Sequence, residues 1–448
     1  MKKWQKTTLI IISGYISYYT SYILFKLLAL NEQTIVVIST LIGLFPLILY
    51  IFVIRKMVKK ENEEVSKSSI KIQELNKLNE KYHFKRITKK KHNIIDREYS
   101  RKSLERVTGS SIIKYHIENN IDLITLKNDE LEVVVSNYGC TLVKVLMKDQ
   151  VGNVDDVVLG YDDFKSYQTL DAYIGALVGR VANRIKKGTF ELNGQTYHLP
   201  INNGPNSLHG GIKGFSYQVF DYQVLDETSV EFHYVSKDGE EGYPGELDFK
   251  AIYSLEGDTL TMHYHATTSK DTLINITNHS YFNLSGKKEN VYQHLLKVHA
   301  DRFACIDPDG LPTGEIKDVK GTSFDFNEFA YIGDRVDNDD EQLQLGKGFD
   351  HPMIFNTKEN QVELVHEKTG RKFTVSTTLP QAQIYTANYL DGRLGKYGQH
   401  YNARDAICIE TQNMPDAIHL EENPSTILKA GDTYDEKTSY KFEVIKNL

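Results

Sequence analysis

Two short runs decide the fold: Glu231-Phe232-His233-Tyr234-Val235 and Leu260-Thr261-Met262-His263-Tyr264-His265. In each, apolar and polar residues alternate with a period of two, the mark of a strand with one face buried and the other wet. Similar runs recur from residue 112 onward. Turn residues separate them at Asn193-Gly194, Asp238-Gly239, Glu256-Gly257-Asp258 and Asp309-Gly310. No long helical stripe or internal repeat intervenes, so the expected architecture for residues 112 to 448 is all-β, a large antiparallel sandwich. Neither GxGxxG after a strand nor GxxxxGK[ST] occurs, so the usual phosphate cradles of nucleotide chemistry are missing from the sequence.

Charge divides the chain differently from strand pattern, but at the same place. The 448 residues carry a formal net charge of -7, too near neutral for a dedicated nucleic-acid binder. Residues 1 to 111 hold 21 Lys+Arg and 9 Asp+Glu, a net +12, and the remainder carries a net -19. That asymmetry implies two physically different parts. Cys140, Cys305 and Cys408 are odd in number and far apart, without CxxC or a His-rich tract. They suggest neither a disulfide framework nor a metal site, and a reducing compartment fits them.

Residues 34 to 54 form 21 positions without a charge, enough to cross ~30 Å of hydrocarbon, which takes ~20 helical residues. Residues 7 to 30 predict a second span, interrupted by Lys26 near its end, where the side chain can snorkel. Only Asn31, Glu32 and Gln33 separate the two, which predicts an α-helical transmembrane hairpin within residues 1 to 60. Lys2, Lys3 and Lys6 before it and Arg55, Lys56, Lys59 and Lys60 after it place both ends on the cytoplasmic side. The expectation is a multi-pass cell-membrane protein with a cytoplasmic catalytic domain and membrane lipid as a partner of residues 1 to 60. Residues 61 to 111 read as a charged, part-helical linker, with Ile72, Leu75, Leu78 and Tyr82 at helical spacing. Its basic cluster, Lys85 to Lys91, suits an anionic leaflet.

Five clusters are unlike strand filler: Gly179-Arg180-Val181-Ala182-Asn183-Arg184-Ile185, Asn206-Ser207-Leu208-His209-Gly210-Gly211, Thr277-Asn278-His279-Ser280-Tyr281-Phe282-Asn283, Gly348-Phe349-Asp350-His351, and Ile409-Glu410-Thr411-Gln412-Asn413. Each alone has a structural explanation, such as a turn histidine, a salt-bridged arginine or an aspartate cap. Together they bring histidines, carboxylates, an arginine and amides without a metal-ligand pair at helical spacing. Such a set suits proton transfer to a neutral, polyhydroxylated ligand.

In this order and spacing the clusters resemble the aldose 1-epimerases (galactose mutarotases). Asp238 to Gly245 (DGEEGYPG), Pro312-Thr313-Gly314 and Pro424-Ser425-Thr426-Ile427-Leu428 with Gly431 and Tyr434 extend the resemblance over roughly residues 117 to 446. It implies a β-supersandwich, isomerase activity on a free aldose such as galactose or glucose, and no cofactor or metal. Residue by residue, it implies His279 as general acid, Glu410 as general base and His209 as a second active-site histidine. Asn183, Arg184, Tyr281, Asp350 and Gln383 are implied to bind sugar hydroxyls. Met414 directly before Pro415, and His419 at a position where the family has Asn, depart from the pattern and bear on sugar preference. The implied mechanism has ionised Glu410 take the anomeric proton while protonated His279 donates to the ring oxygen. Three rivals remain: glycoside hydrolysis by Asp350 and Glu410, a hexose-6-phosphate epimerase, and a membrane-tethered sugar sensor without turnover. Retention of both His279 and Glu410 counts against the sensor.

Overall fold

The computed structural model describes residues 104–106, 113–118, 120–169, 172–287, 289–420 and 426–445. Among the described residues no helix is long and apolar enough to cross a membrane. The two predicted spans and the predicted linker helix lie outside the described residues.

Strands dominate, all in antiparallel sheets, as the alternating pattern requires. A nine-stranded sheet runs, in spatial order, Asp221–Val224, Ser229–Ser236, Leu247–Glu256, Thr259–Thr268, Thr433–Val444, Arg371–Thr377, Val362–His366, Leu295–Val298 and Ala330–Tyr331. In Leu247–Glu256, every second side chain is buried: Leu247, Phe249, Ala251, Tyr253 and Leu255. These residues join Phe232, Phe282, Phe373, Tyr440 and Phe442 in the main core. Phe282 and Phe373 stack with ring centroids 4.1 Å apart. Burying one such side chain contributes about 1.5–3 kcal/mol, so this face supplies much of the fold's cohesion.

A six-stranded meander starts at Leu104–Arg106 and ends at Val154–Asp156. Its first strand pairs with Ile113–Glu118, so hydrogen-bonded sheet reaches into the stretch that charge alone assigned to the linker. A second six-stranded sheet orders Tyr281–Phe282, Ile407–Gln412, Gln381–Tyr385, Asp350–Phe355, Ala300–Ile306 and Pro312–Asp318. The strand Ile407–Gln412 is buried along its whole length. Ile407 and Ile409 enter the main core, which leaves Cys408, Glu410 and Gln412 on the opposite face. Among the described residues helix is confined to short pieces such as Phe164–Thr169 and Glu341–Gly346.

Candidate active site

A cavity of about 380 Å³ opens over the second six-stranded sheet and is lined by residues of all five sequence clusters, within the range usual for small-ligand sites. Register brings the acidic residues to it. Glu410 lies opposite Gln383, Gln383 opposite Pro352, and Asp350 opposite Tyr385. His279 arrives from the next segment, just after the two-residue strand Thr277–Asn278. Its backbone is fixed on both sides: His279 N donates to Ala176 O at 2.8 Å, and Gly175 N donates to His279 O at 2.9 Å. Asn278 Nδ2 donates to Gly175 O at 3.2 Å. The Thr-Asn-His-Ser motif thereby locks the histidine in place.

The two glycines after His209 serve close approach. A Cβ on Gly210 would meet Gly179 O at 2.0 Å, and both Gly210 and Gly211 have positive φ. The Asn206-to-Gly211 turn can thus press against the Gly179-to-Arg184 segment. His209 N donates to Asn183 O at 2.9 Å, and Asn183 N donates to His209 Nδ1 at 3.1 Å. Because a backbone N–H can only donate, Nδ1 carries the lone pair and Nε2 carries the hydrogen. His209 is therefore a neutral imidazole offering a donor.

His279 Nε2 lies 3.6 Å from Glu410 Oε1, with both side chains almost wholly buried. The His279 ring stacks on Tyr281 at 5.1 Å and meets the His209 ring edge-on at 5.3 Å. Neither His279 Nδ1 nor Glu410 Oε2 has a hydrogen-bond partner. Buried polar atoms are rarely left so, and both residues line a cavity able to supply a ligand's hydroxyls. The nitrogens of His209 and His279 and a Glu410 oxygen all fall within 4.8 Å of one another, a spacing open to a metal ion. The Asn183 bond argues against one: His209 Nε2 bears a proton, and ligation needs a bare nitrogen.

Burial sets the charges. It pushes the Glu410 carboxyl well above the ordinary carboxylate range; the Asp350 charge adds to this and Arg184 opposes it. Burial lowers His279 to about 4. His209 is driven well below the histidine range by burial, then by His279 and Arg184. Asp350 is raised by burial, against Arg184 and its hydrogen bond with Gln383. Burial disfavours the charged form of each group taken singly, which places the shared proton on Glu410, whereas the 3.6 Å approach of His279 Nε2 to Glu410 Oε1 favours the ionised pair.

Of the sequence-predicted residues, His209, His279, Glu410, Asn183, Arg184, Tyr281 and Asp350 line the cavity. Gln383 does not. Its Nε2 donates to Asp350 Oδ1 at 2.8 Å, which makes it a support for Asp350. Tyr281 reaches the wall, but its hydroxyl donates to Ala172 O at 3.0 Å; the ring supports His279. Arg184 is held by Asn203 Oδ1 at 3.0 Å and Gly310 O at 3.4 Å. Met414 packs with Ala304 and Ala417, and neither it nor His419 lines the cavity. Wall residues without a sequence signal include Tyr173, Tyr385, Tyr389 and Arg393.

A model of the family described as Aldose 1-epimerase matches residues 122–441. The galactose mutarotase of Bos taurus is 44% identical over 329 residues, 72% of this chain and 94% of the relative. The aldose 1-epimerase of Escherichia coli (strain K12) is 33% identical over 330 residues, 71% of this chain and 94% of the relative. Among solved structures, an aldose epimerase homologue from C. elegans superposes with a TM-score of 0.68 at 32% identity, covering 72% of this chain and 99% of that one. A galactose 1-epimerase from Lactobacillus acidophilus NCFM gives 0.67 at 30% identity, covering 76% and 99%.

Proposed function

The chain belongs to the aldose 1-epimerase family and has its isomerase activity, and we propose that it interconverts the α and β anomers of free galactose and glucose through Glu410 and His279. The observation carrying this assignment is the buried pair 3.6 Å apart, with one unpartnered atom on each side chain.

The pair holds one proton between its two members. In the free cleft burial favours that proton on Glu410; moving it to His279 leaves the count unchanged and creates the reactive base and acid. Glu410 then takes the anomeric hydroxyl proton while His279 donates to the ring oxygen, each within ~3 Å of its sugar atom. The C1 to ring-oxygen bond breaks and an open-chain aldehyde forms. Rotation about C1–C2 presents the other carbonyl face, and reclosure with the proton roles exchanged yields the other anomer. His209 Nε2–H is a donor for developing negative charge at the ring oxygen, and Arg184 and Asp350 hold hydroxyls. The reaction is an equilibrium, so no energy source enters, and each proton transfer above is made by a side chain of the cavity.

Polarimetry with freshly dissolved α-galactose, glucose and xylose, their 6-phosphates and a methyl glycoside tests the assignment. Rapid decay of rotation for free aldoses, with the glycoside untouched, is expected. Glycoside cleavage would favour hydrolysis, activity confined to the phosphates a phosphohexose epimerase, and binding without turnover a sensor.

The charge-free run at residues 34 to 54 and its basic flanks support a further proposal, that residues 1 to 60 tether the enzyme to a membrane with the catalytic domain in the cytoplasm. Cysteines engineered into the catalytic domain should escape impermeant labelling of intact cells; efficient labelling would refute that topology.

A further inference from the structure

The loop following Gln412 sends no side chain into the cavity, yet it is fastened to the segment that does. Asp416 N donates to Arg184 O at 3.1 Å, and Lys186 N donates to Asp416 Oδ1 at 3.0 Å. One aspartate thus grips the chain on both sides of the peptide that follows Arg184. Asp416 is 4% exposed and adopts a left-handed backbone, φ 55°. The same Oδ1 bonds His419 Nδ1 at 2.6 Å, and the His419 side chain is 34% exposed. A surface histidine is therefore two hydrogen bonds from the backbone that carries Arg184.

We propose that Asp416 and His419 are positioning residues that hold Arg184 in the cleft and so set sugar affinity from outside the cavity. The proposal rests on the aldose reading above, in which Arg184 holds sugar hydroxyls.

The arrangement responds to pH. The hydrogen bond to Asp416 raises His419 above the ordinary histidine value; burial opposes the rise, the Asp416 charge and the Thr189 backbone add to it, and Lys186 opposes it. These are the groups that face the imidazole: Asp416 from its own loop, and Lys186 and Thr189 from the turn Lys186–Gly188 and the strand Thr189–Leu192. Below its raised pKa, His419 is an imidazolium and gives Asp416 a charge-assisted partner. Once pH passes that pKa the charge is lost, the clamp weakens and Arg184 gains freedom. Sugar KM should therefore rise as His419 loses its proton, separately from any fall in kcat as Glu410 loses its own.

The experiment measures KM, kcat and calorimetric galactose affinity from about pH 6 to about pH 9, spanning the histidine range, for the wild type, His419→Ala, His419→Asn and Asp416→Asn. Loss of the His419 hydrogen bond should raise KM roughly three- to ten-fold in His419→Ala, and Asp416→Asn, which keeps the acceptor oxygen but removes its charge, should raise it by less, with kcat within about two-fold in both. His419→Asn can still donate to Asp416 but does not titrate, so its KM should stay low and lose the alkaline rise. An unchanged KM in His419→Ala, a wild-type pH dependence in His419→Asn, or a loss confined to kcat would overturn the proposal. If Asp416→Asn folds poorly, the two variants at the partly exposed His419 decide. Should galactose bind without turnover, the catalytic assignment fails while the affinities still judge the clamp. Absence of binding by any aldose overturns both.

Discussion

Two pairs of ionisable groups in this protein are buried alike and differ in what surrounds them. Lys396 Nζ donates to Asp156 Oδ2 at 2.5 Å and to Val143 O at 2.6 Å. Tyr397 supplies a second bond to Oδ2, while the backbone amides of Val145 and Val158 donate to Oδ1. Both Asp156 oxygens have partners, although the two side chains are only 1% and 2% exposed. His279 and Glu410 are about as deeply buried but stand 3.6 Å apart, with His279 Nδ1 and Glu410 Oε2 unpartnered. Local hydrogen bonds offset the cost of burial at the first pair. At the second that cost is left standing, and a ligand can relieve it. Saturation of the polar atoms, more than burial or charge, separates a structural pair from a chemical one.

Substitutions should divide along the same line. The largest expected effect is at the open pair: His279→Asn should slow anomer interconversion by ~10²- to 10⁴-fold, the usual contribution of a general acid or base, with little change in thermal midpoint. A large fall in midpoint would place His279 with the structural groups. Lys396→Met should do the reverse. Removing one partner of a buried ion pair costs about 3–5 kcal/mol, which denaturant melts would register, while the protein still folded should turn over normally.

Asp350→Asn comes next. It keeps the hydrogen-bond geometry with Gln383 but removes the charge offered to sugar hydroxyls, so KM should rise by about ten-fold or more, since hydrogen bonds to charged groups contribute ~1.5–3 kcal/mol. A fall in kcat at constant KM would instead make Asp350 part of the proton transfer. Smallest is Tyr281→Phe, which gives up the bond to Ala172 O and should cost ~1 kcal/mol of stability with KM nearly unchanged. A selective rise in KM would return Tyr281 to the sugar-binding set.

The pH profile sharpens the contrast further. With one shared proton, activity should fall when the pair gains a second proton, as pH drops through the His279 value of about 4, and again when it loses its last, as pH rises through the elevated Glu410 value. In kcat/KM the acid limb then belongs to His279 and the alkaline limb to Glu410, as apparent values of the pair. The sequence-based mechanism, with ionised Glu410 and protonated His279, has the opposite order. An acid limb that survives in His279→Asn would contradict the new one.

Much of this was legible in the chain. Period-two alternation is local, so Leu260 to His265 reads correctly as a strand before any partner is known. His279, Glu410, His209, Arg184 and Asp350 stand in short motifs and converge on the cavity as expected. Gln383 lies outside the cavity wall, a placement that depends on cross-strand neighbours: register sets it opposite Glu410 and Pro352, and its amide bonds Asp350. Tyr173 and Tyr389 carry no local signature, since loops brought together by the fold decide that they line the wall. Met414 and His419 stood out as departures bearing on sugar preference; Met414 is core packing, and His419 bonds Asp416 outside the cavity. The depth of burial that shifts His279 and Glu410 was equally out of reach, because it follows from the fold rather than from residue type.

The central claim, that Glu410 moves a proton and does not merely hold the sugar, is tested most directly by Glu410→Gln, with rotation decay and galactose affinity measured on the same sample. A rate loss of ~10²- to 10⁴-fold is expected with affinity altered by only ~1 kcal/mol, because the amide keeps the size and an acceptor but cannot take the proton. Near wild-type turnover, or equal losses of rate and affinity, would contradict it and move the base to Asp350.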